Sequence, residues 1–173
     1  AGTARPAARR RDSPEDIKSA AASLRKGFPV AFPTETVYGL GAIATDDDAV
    51  ARVFAAKGRP SDNPLILHVA DGEAGLRRMA LDGQVPEVAQ RLAKAFWPGP
   101  LSICIKANPA AVGRRACAGL DTVVLRVPNH PVALALLREL GPDVPVAAPS
   151  ANASGRPSPT RAAHVLQDIG AGG

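Results

Sequence analysis

Hydrophobic residues recur along the chain with two spacings, one typical of helices and one typical of strands. Ser13 followed by Pro14 predicts the start of a first helix, whose apolar positions repeat at helical spacing as far as Gly27. The short apolar run PVAF then predicts a strand. Asp46 predicts the N-terminal cap of a second helix within TDDDAVARVFAAKG.

The rest of the chain continues this alternation of strands and helices. Strands are predicted in LILHVA, LSICIKA, TVVLRVP and VPVAAPS. Helices are predicted in EAGLRRMA, PEVAQRLAKAFW, HPVALALLREL and TRAAHVLQDI. No internal repeat or long linker interrupts the pattern. The sequence therefore predicts one domain of the mixed α/β class.

Three polar segments each adjoin a predicted strand. PTETVYG follows PVAF, KGRPSDN precedes LILHV, and APSANASG follows VPVAA. Because open α/β sheets bind ligands at strand ends, we expect these segments to converge on one cleft. The alternative for PTETVYG is an ordinary turn, in which the hydroxyls of Thr34 and Thr36 only satisfy local backbone groups.

Composition and charge separate a basic N-terminus from the remainder of the chain. The 173 residues are 46% hydrophobic and carry a net charge of +5. Four arginines precede the first acid, so residues 1–12 are predicted to form a disordered basic arm and residues 13–173 the folded domain. The arm has three alternative roles: contact with RNA phosphates, a remnant of organelle targeting, or a solubilising extension.

The apolar runs are too short for membrane insertion. None approaches the roughly 18 residues of a membrane span, and the N-terminus lacks the apolar core of a secretory signal. These features predict a soluble cytoplasmic protein, or an organellar one if the arm is a targeting remnant.

Two polar clusters offer groups that could bind an anion. Lys57 and Arg59, followed by Asn63, suit a polyphosphate, although cations at a helix C-terminus also simply satisfy terminal carbonyls. Ser150 and Asn152 could donate to phosphate oxygens or serve as ordinary turn formers.

Several common catalytic devices are missing from the sequence. There is no GxxxxGK[ST] loop, Ser-His-Asp set, HExxH motif or paired-carboxylate spacing, which argues against covalent or metal-hydroxide hydrolysis. Cys104 and Cys117 are interpreted as reduced packing residues. His68 lies mid-strand and is either a core residue or a ligand-binding one, and Trp97 is either a packing corner or a stacking platform.

Five motifs, taken together and in order, resemble a known family. The chain contains, in this order, motifs similar to those of the YrdC-like threonylcarbamoyl-adenylate synthases: PTETVYGLG, KGRPSDNPLILHV, FWPGPL, TVVLRVPNHP and APSANASGRPSPT. The similarity runs from about Ser13 to Ile169. The resemblance implies a twisted mixed sheet with flanking helices and a central, positively lined cavity. It also implies that L-threonine, bicarbonate or CO2, and ATP with Mg²⁺ give threonylcarbamoyl-AMP and pyrophosphate. A tRNA and a downstream tRNA threonylcarbamoyl transferase would be partners.

The resemblance also implies roles for individual residues. The catalytic set would be Lys57, Arg59, Ser150 and Asn152. ATP would contact Arg59, Asn63, Thr122, Ser150 and Ser158, whereas threonine would contact Thr36, His68 and Arg126. No protein metal site is implied.

The resemblance has one departure and leaves two rivals. Family members continue past the last helix with a strand and a G-x-E-S-T segment that closes over the ligands, so we expect this chain to lack its closing segment. The first rival is a non-catalytic module that binds tRNA or double-stranded RNA. The second is the carbamoyl-adenylate-forming domain of a carbamoyltransferase, which would require neighbouring zinc-finger and acylphosphatase segments.

Overall fold

The mixed α/β architecture is confirmed. The computed structural model describes residues 12–170, and this part of the chain contains six strands, six α-helices and one short 3-10 turn at Leu81–Gly83. In chain order the elements are α1 (Pro14–Arg25), β1 (Val30–Phe32), β2 (Gly39–Ile43), α2 (Asp47–Lys57), β3 (Ile66–His68), α3 (Gly72–Met79), α4 (Glu87–Phe96), β4 (Ile103–Lys106), β5 (Thr122–Arg126), α5 (Pro131–Leu140), β6 (Val146–Ala147) and α6 (Ala162–Asp168). None of these helices is both long and apolar enough to cross a membrane.

The helix termini form where the local sequence signals predict them. Ser13 caps α1 by accepting the backbone N–H of Asp16, and Pro14 occupies the first helical position. Asp46 caps α2 by accepting two backbone N–H groups of the first turn. The helix ends at Gly58, whose φ of +57° lies in the left-handed region that favours glycine.

The strands form one sheet with the order β1-β2-β6-β3-β5-β4. Only the β3–β5 pair is parallel, and the other four pairs that the described residues form are antiparallel. In the parallel register His68 lies beside Arg126, and in the antiparallel register it lies beside Val146. The central strands therefore bring two predicted site residues next to each other.

Helices cover both faces of the sheet. Leu67 and Leu125 belong to the core formed with α2, α3 and α4. Because strand residues alternate between faces, their neighbours His68 and Arg126 point to the opposite side, where α1 and α5 pack. Phe32, part of that second core, meets the His68 ring edge-on with centroids 6.0 Å apart.

The structure adds one strand that the sequence pattern did not predict, after the loop that follows β1. Gly39–Ile43 forms strand β2 between β1 and β6, although its two glycines disfavour a strand. Packing requires glycine at position 41, because a Cβ there would lie 2.8 Å from both Phe32 and Val146. Tertiary packing, rather than local propensity, thus produces this strand.

The two cysteines differ in their surroundings. Both are free, as predicted, and Cys117 is a buried packing residue. The prediction is wrong for Cys104, which is exposed because alternate residues of β4 point away from the core.

Candidate active site

A chain of hydroxyl hydrogen bonds fixes the loop between β1 and β2. Thr34 donates its hydroxyl hydrogen to the carbonyl of Val37 over 2.6 Å and accepts the backbone N–H groups of Thr36 and Val37 over 3.2 Å. The hydroxyls of Thr34 and Thr36 lie 3.0 Å apart, so Thr36 is the donor in that pair. Thr34 therefore forms the turn, and the hydroxyl oxygen of Thr36 can still accept a hydrogen bond from a neighbour.

That neighbour is Arg126, at the end of β5. Its Nη2 donates to Thr36 Oγ1 over 3.1 Å and to Glu35 Oε1 over 2.7 Å, and its Nε donates to the carbonyl of Gly99 over 3.3 Å. Arg126 is buried and Glu35 is half-buried. Burial raises the pKa of Glu35, but hydrogen bonds from Arg126 and nearby backbone N–H groups outweigh it, so the pKa is lowered overall and the carboxylate is charged.

His68 is a buried, neutral imidazole beside this ion pair. Only 4% of its surface is exposed, and its Nδ1 is buried without a hydrogen-bond partner. Burial, with the nearby charge of Arg126, lowers its pKa to about 4. The ring is therefore uncharged at neutral pH, and it can offer a hydrogen bond to a ligand without adding charge.

We expect the protein to lose stability through His68 as the pH falls from 7 to 5. The unfolded chain binds a proton near pH 6.5 whereas the folded chain resists it until about pH 4, so the free energy of unfolding falls with pH across this window. The loss at pH 5 should be on the order of 2 kcal/mol. Urea unfolding at pH 7 and at pH 5 should show that the free energy of unfolding falls more in the native protein than in His68→Gln. An equal fall in the two proteins would contradict the prediction.

A second cluster forms where α2 ends. The ammonium of Lys57 donates to the carbonyls of Ser150 and Asn152 over 2.5 Å each, and its own carbonyl accepts the backbone N–H of Ser154 over 2.8 Å. Lys57 is only 3% exposed, and burial, helped by the charge of Arg59, lowers its pKa to about 8. Lys57 therefore fastens the loop that follows β6 to α2.

Two buried polar atoms in this cluster have no hydrogen-bond partner among residues 12–170. Arg59 donates one Nη2 hydrogen to the carbonyl of Pro64 over 3.3 Å, but its Nε is buried and unpaired. Asn152 donates to the carbonyls of Ala153 and Arg156, while its Oδ1 is buried and unpaired. Because native proteins rarely leave such groups unpaired, these two atoms point to a bound water or ligand.

The two clusters are connected through the loop that Thr34 fixes. The residue after that loop, Gly39, pairs with Ser150, and the carbonyl of Tyr38 accepts the N–H of Ala151 over 2.8 Å. The structure therefore brings six predicted site residues to one connected region: Thr36, Lys57, His68, Arg126, Ser150 and Asn152. Arg59 joins them at the end of α2.

The remaining three predicted ATP contacts lie in other segments of the chain. Asn63 is exposed in the turn before β3. Thr122 starts β5, and the β3–β5 register places it level with Pro64, the residue that Arg59 contacts. Ser158 lines a separate cavity of about 360 Å³ with residues of α6.

The central, positively lined cavity stays a prediction. A cavity of about 840 Å³ lies among α3, α4 and α5, and none of the predicted site residues lines it. Trp97 does line it, while its indole N–H donates to the carbonyl of Leu101 over 2.7 Å, so this residue is anchored as a packing corner. In residues 12–170 no group of three His, Cys, Asp or Glu side chains could hold a metal ion.

Sequence reasoning did not identify Glu35 as part of the site. The only signal was its place between two threonines directly after a buried strand. Its importance depends on Arg126, which is 91 residues away in the chain and reaches it only through the sheet.

Fold and site together define an α/β protein with buried cations grouped around strand ends, an arrangement suited to an anionic ligand. The model of the Sua5/YciO/YrdC family, described as telomere recombination, matches residues 22–172. The chain belongs to this family, and the YrdC-like resemblance is confirmed.

Relatives and solved structures agree with this assignment. The chain is 56% identical over 153 residues to a threonylcarbamoyl-AMP synthase of Bacillus subtilis, covering 88% of the chain and 43% of that protein. It is 52% identical to Sua5 of Pyrococcus abyssi in a crystal structure with L-threonine, with a TM-score of 0.84, covering 90% of this chain and 44% of that one. The chain therefore spans less than half the length of these relatives.

A more distant structure shows the fold alone. Full-length HypF, solved in a phosphate- and nucleotide-bound form, is 24% identical with a TM-score of 0.75, covering 88% of this chain and 23% of that one. The chain is 56% and 52% identical to the two synthases. These identities favour a synthase over the second rival of the sequence analysis, the carbamoyl-adenylate-forming domain of a carbamoyltransferase.

Proposed function

We propose that this chain carries the adenylate-forming site of a threonylcarbamoyl-AMP synthase, which serves the modification of tRNA. The amine of L-threonine adds to CO2 or bicarbonate to give a carbamate, whose oxygen attacks the α-phosphorus of ATP and displaces pyrophosphate. The observation that carries the proposal is the pair of buried polar clusters, the salt-bridged one around Arg126 and the cationic one around Lys57, joined by one fixed loop. The names of the relatives supply the substrates.

The Arg126 cluster is suited to threonine. A guanidinium binds a carboxylate with defined geometry, and Thr36 and His68 add short polar groups on the same side of the sheet. The buried, neutral imidazole of His68 can hydrogen-bond the substrate without competing for its carboxylate. We assign Thr36, His68 and Arg126 to threonine.

The Lys57 cluster is suited to the phosphates of ATP. The unpaired Nε of Arg59 is a donor held in a buried place, and Lys57 holds Ser150 and Asn152 beside it. Arg59, Ser150 and Asn152 would contact the phosphates. Asn63, Thr122 and Ser158 would contact the rest of the nucleotide.

The reaction requires positioning and charge neutralisation rather than a protein nucleophile. The carbamate oxygen and the leaving pyrophosphate must lie in line at the α-phosphorus, which two substrate clusters connected by one fixed loop can arrange. Magnesium would neutralise developing phosphate charge when bound. The described residues supply no acidic cluster for it, so the phosphates themselves would be its main ligands.

The remaining partners follow from the proposed product. A mixed anhydride of carbamate and AMP is unstable in water, so a tRNA threonylcarbamoyl transferase must consume it. Direct contact with tRNA would involve the basic arm, but residues 1–11 lie outside the described residues. The proposed location is the cytoplasm, with an organelle as the alternative.

Mass spectrometry of the reaction products tests the function. The protein is incubated with ATP, Mg²⁺, L-threonine and ¹³C-bicarbonate, and the expected product is threonylcarbamoyl-AMP carrying the label in its carbamoyl carbon. Omitting threonine is the matched control and should abolish the labelled nucleotide. Tight RNA binding without any labelled product would instead support the RNA-binding module.

A further inference from the structure

The guanidinium of Arg126 is held by three of its five N–H groups. Nε donates to Gly99, and the two hydrogens of Nη2 go to Glu35 and Thr36. The remaining nitrogen, Nη1, makes no hydrogen bond to any residue between 12 and 170, and it is not among the buried unpaired atoms of this range. Only Nη1 therefore remains available to a ligand.

Glu35 supplies the one charged partner in this arrangement. Its Oε1 lies 2.7 Å from Arg126 Nη2, whereas its Oε2 is buried without a hydrogen-bond partner. The side chains of Arg126 and Glu35 are 10% and 19% exposed, so water screens the pair little. The carboxylate thus neutralises the guanidinium in the same region that receives the amino acid.

We infer that Glu35 is a positioning residue that orients Arg126 toward the substrate carboxylate and makes this half of the site selective for an amino acid with a free α-ammonium. The inference rests on the proposed function, because it deepens the assignment of Arg126 to threonine. Arg126 alone would attract any carboxylate. Paired with Glu35 it forms a site of zero net charge, in which a zwitterion gains from both groups and a simple anion is repelled by one of them.

Removing the charge of Glu35 separates its effect on ligand selectivity from the attraction of Arg126 for a carboxylate. Glu35→Gln keeps the size of the side chain and an oxygen that can accept from Arg126, but it leaves the guanidinium uncompensated. Calorimetry should compare L-threonine with 3-hydroxybutyrate, which is threonine without its amino group. In the variant, threonine affinity should fall at least about tenfold, while 3-hydroxybutyrate affinity should stay the same or rise.

The ratio of the affinity for threonine to the affinity for 3-hydroxybutyrate decides the outcome. A ratio that falls less than about fivefold overturns the inference, because a purely structural role would weaken both ligands alike. Glu73→Gln is the matched control, since Glu73 forms an exposed ion pair with Arg77 at 3.0 Å outside the site. Its ratio should equal that of the native protein.

A second variant guards against misfolding of the first. Glu35→Asp keeps the charge but shortens the side chain, so threonine binding should weaken while the ratio is preserved; a collapsed ratio overturns the inference. If the native protein binds neither compound, the proposed assignment of threonine fails as well. If it binds threonine and the ratio does not respond to Glu35→Gln, only the role of Glu35 fails.

Discussion

Lys57→Ala should lower the rate of threonylcarbamoyl-AMP formation by about 10²- to 10³-fold, which is the usual effect of losing one preorganised donor at a reacting anion. Two of the three ammonium hydrogens are bound to the carbonyls of Ser150 and Asn152. The third has no hydrogen-bond partner in the described residues. Truncation would thus remove a charge beside the proposed phosphate site and also release the loop that carries Ser150 and Asn152, two further proposed phosphate contacts.

Initial rates of labelled product formation, measured with saturating threonine and ATP, test this prediction. Lys18→Ala is the matched control, because Lys18 is an exposed lysine on α1 far along the chain from the site. Circular dichroism must show that both variants are folded. Near-normal turnover in Lys57→Ala would mean that Lys57 has no role toward the reacting phosphates.

Local signals allowed the helices to be predicted from the sequence, because their causes lie within a few residues. Asp46 and Gly58 bound α2 through a side-chain cap and a left-handed residue, and both devices are visible in the sequence. The predicted strand in LILHVA is likewise present, although the structure limits it to Ile66–His68. These elements carry Lys57 and His68, so part of the site could be placed on its elements in advance.

The sheet order and the ion pair could not be predicted in this way, since both depend on contacts between distant segments. β2 contains glycines where a strand former would be expected, and it exists because β1 and β6 pair with it on either side. Glu35 gains its role only when β5 brings Arg126 to the same loop. The exposure of Cys104 likewise follows from which face of β4 is covered.

The roles of the predicted residues came from the resemblance rather than from their spacing. Lys57 and Arg59 at a helix end could equally have satisfied the carbonyls of that helix, but the structure shows Lys57 bound to the carbonyls of Ser150 and Asn152 in another loop. The unpaired Nε of Arg59 and Oδ1 of Asn152 are what the structure adds, because they mark places where a partner belongs. Structure and sequence therefore support the same site with different observations.

Arg126→Ala should raise the KM for threonine by about 10²-fold while changing the KM for ATP less than about threefold. The guanidinium lies with Thr36 and beside His68, in the cluster proposed to bind threonine, whereas the proposed phosphate contacts lie around Lys57. Initial rates with each substrate varied in turn separate the two effects. Equal increases in both KM values would contradict this division of the site.

The single substitution also leaves Glu35 without its ionic partner, and an uncompensated buried charge destabilises a fold by itself. The double variant Arg126→Ala with Glu35→Gln removes both charges, so it should recover much of the lost stability in urea unfolding. It should not recover threonine affinity, because the donor that faces the substrate carboxylate is still missing. Restoration of a normal KM for threonine in the double variant would show that Arg126 acts only by neutralising Glu35, and that another group binds the carboxylate.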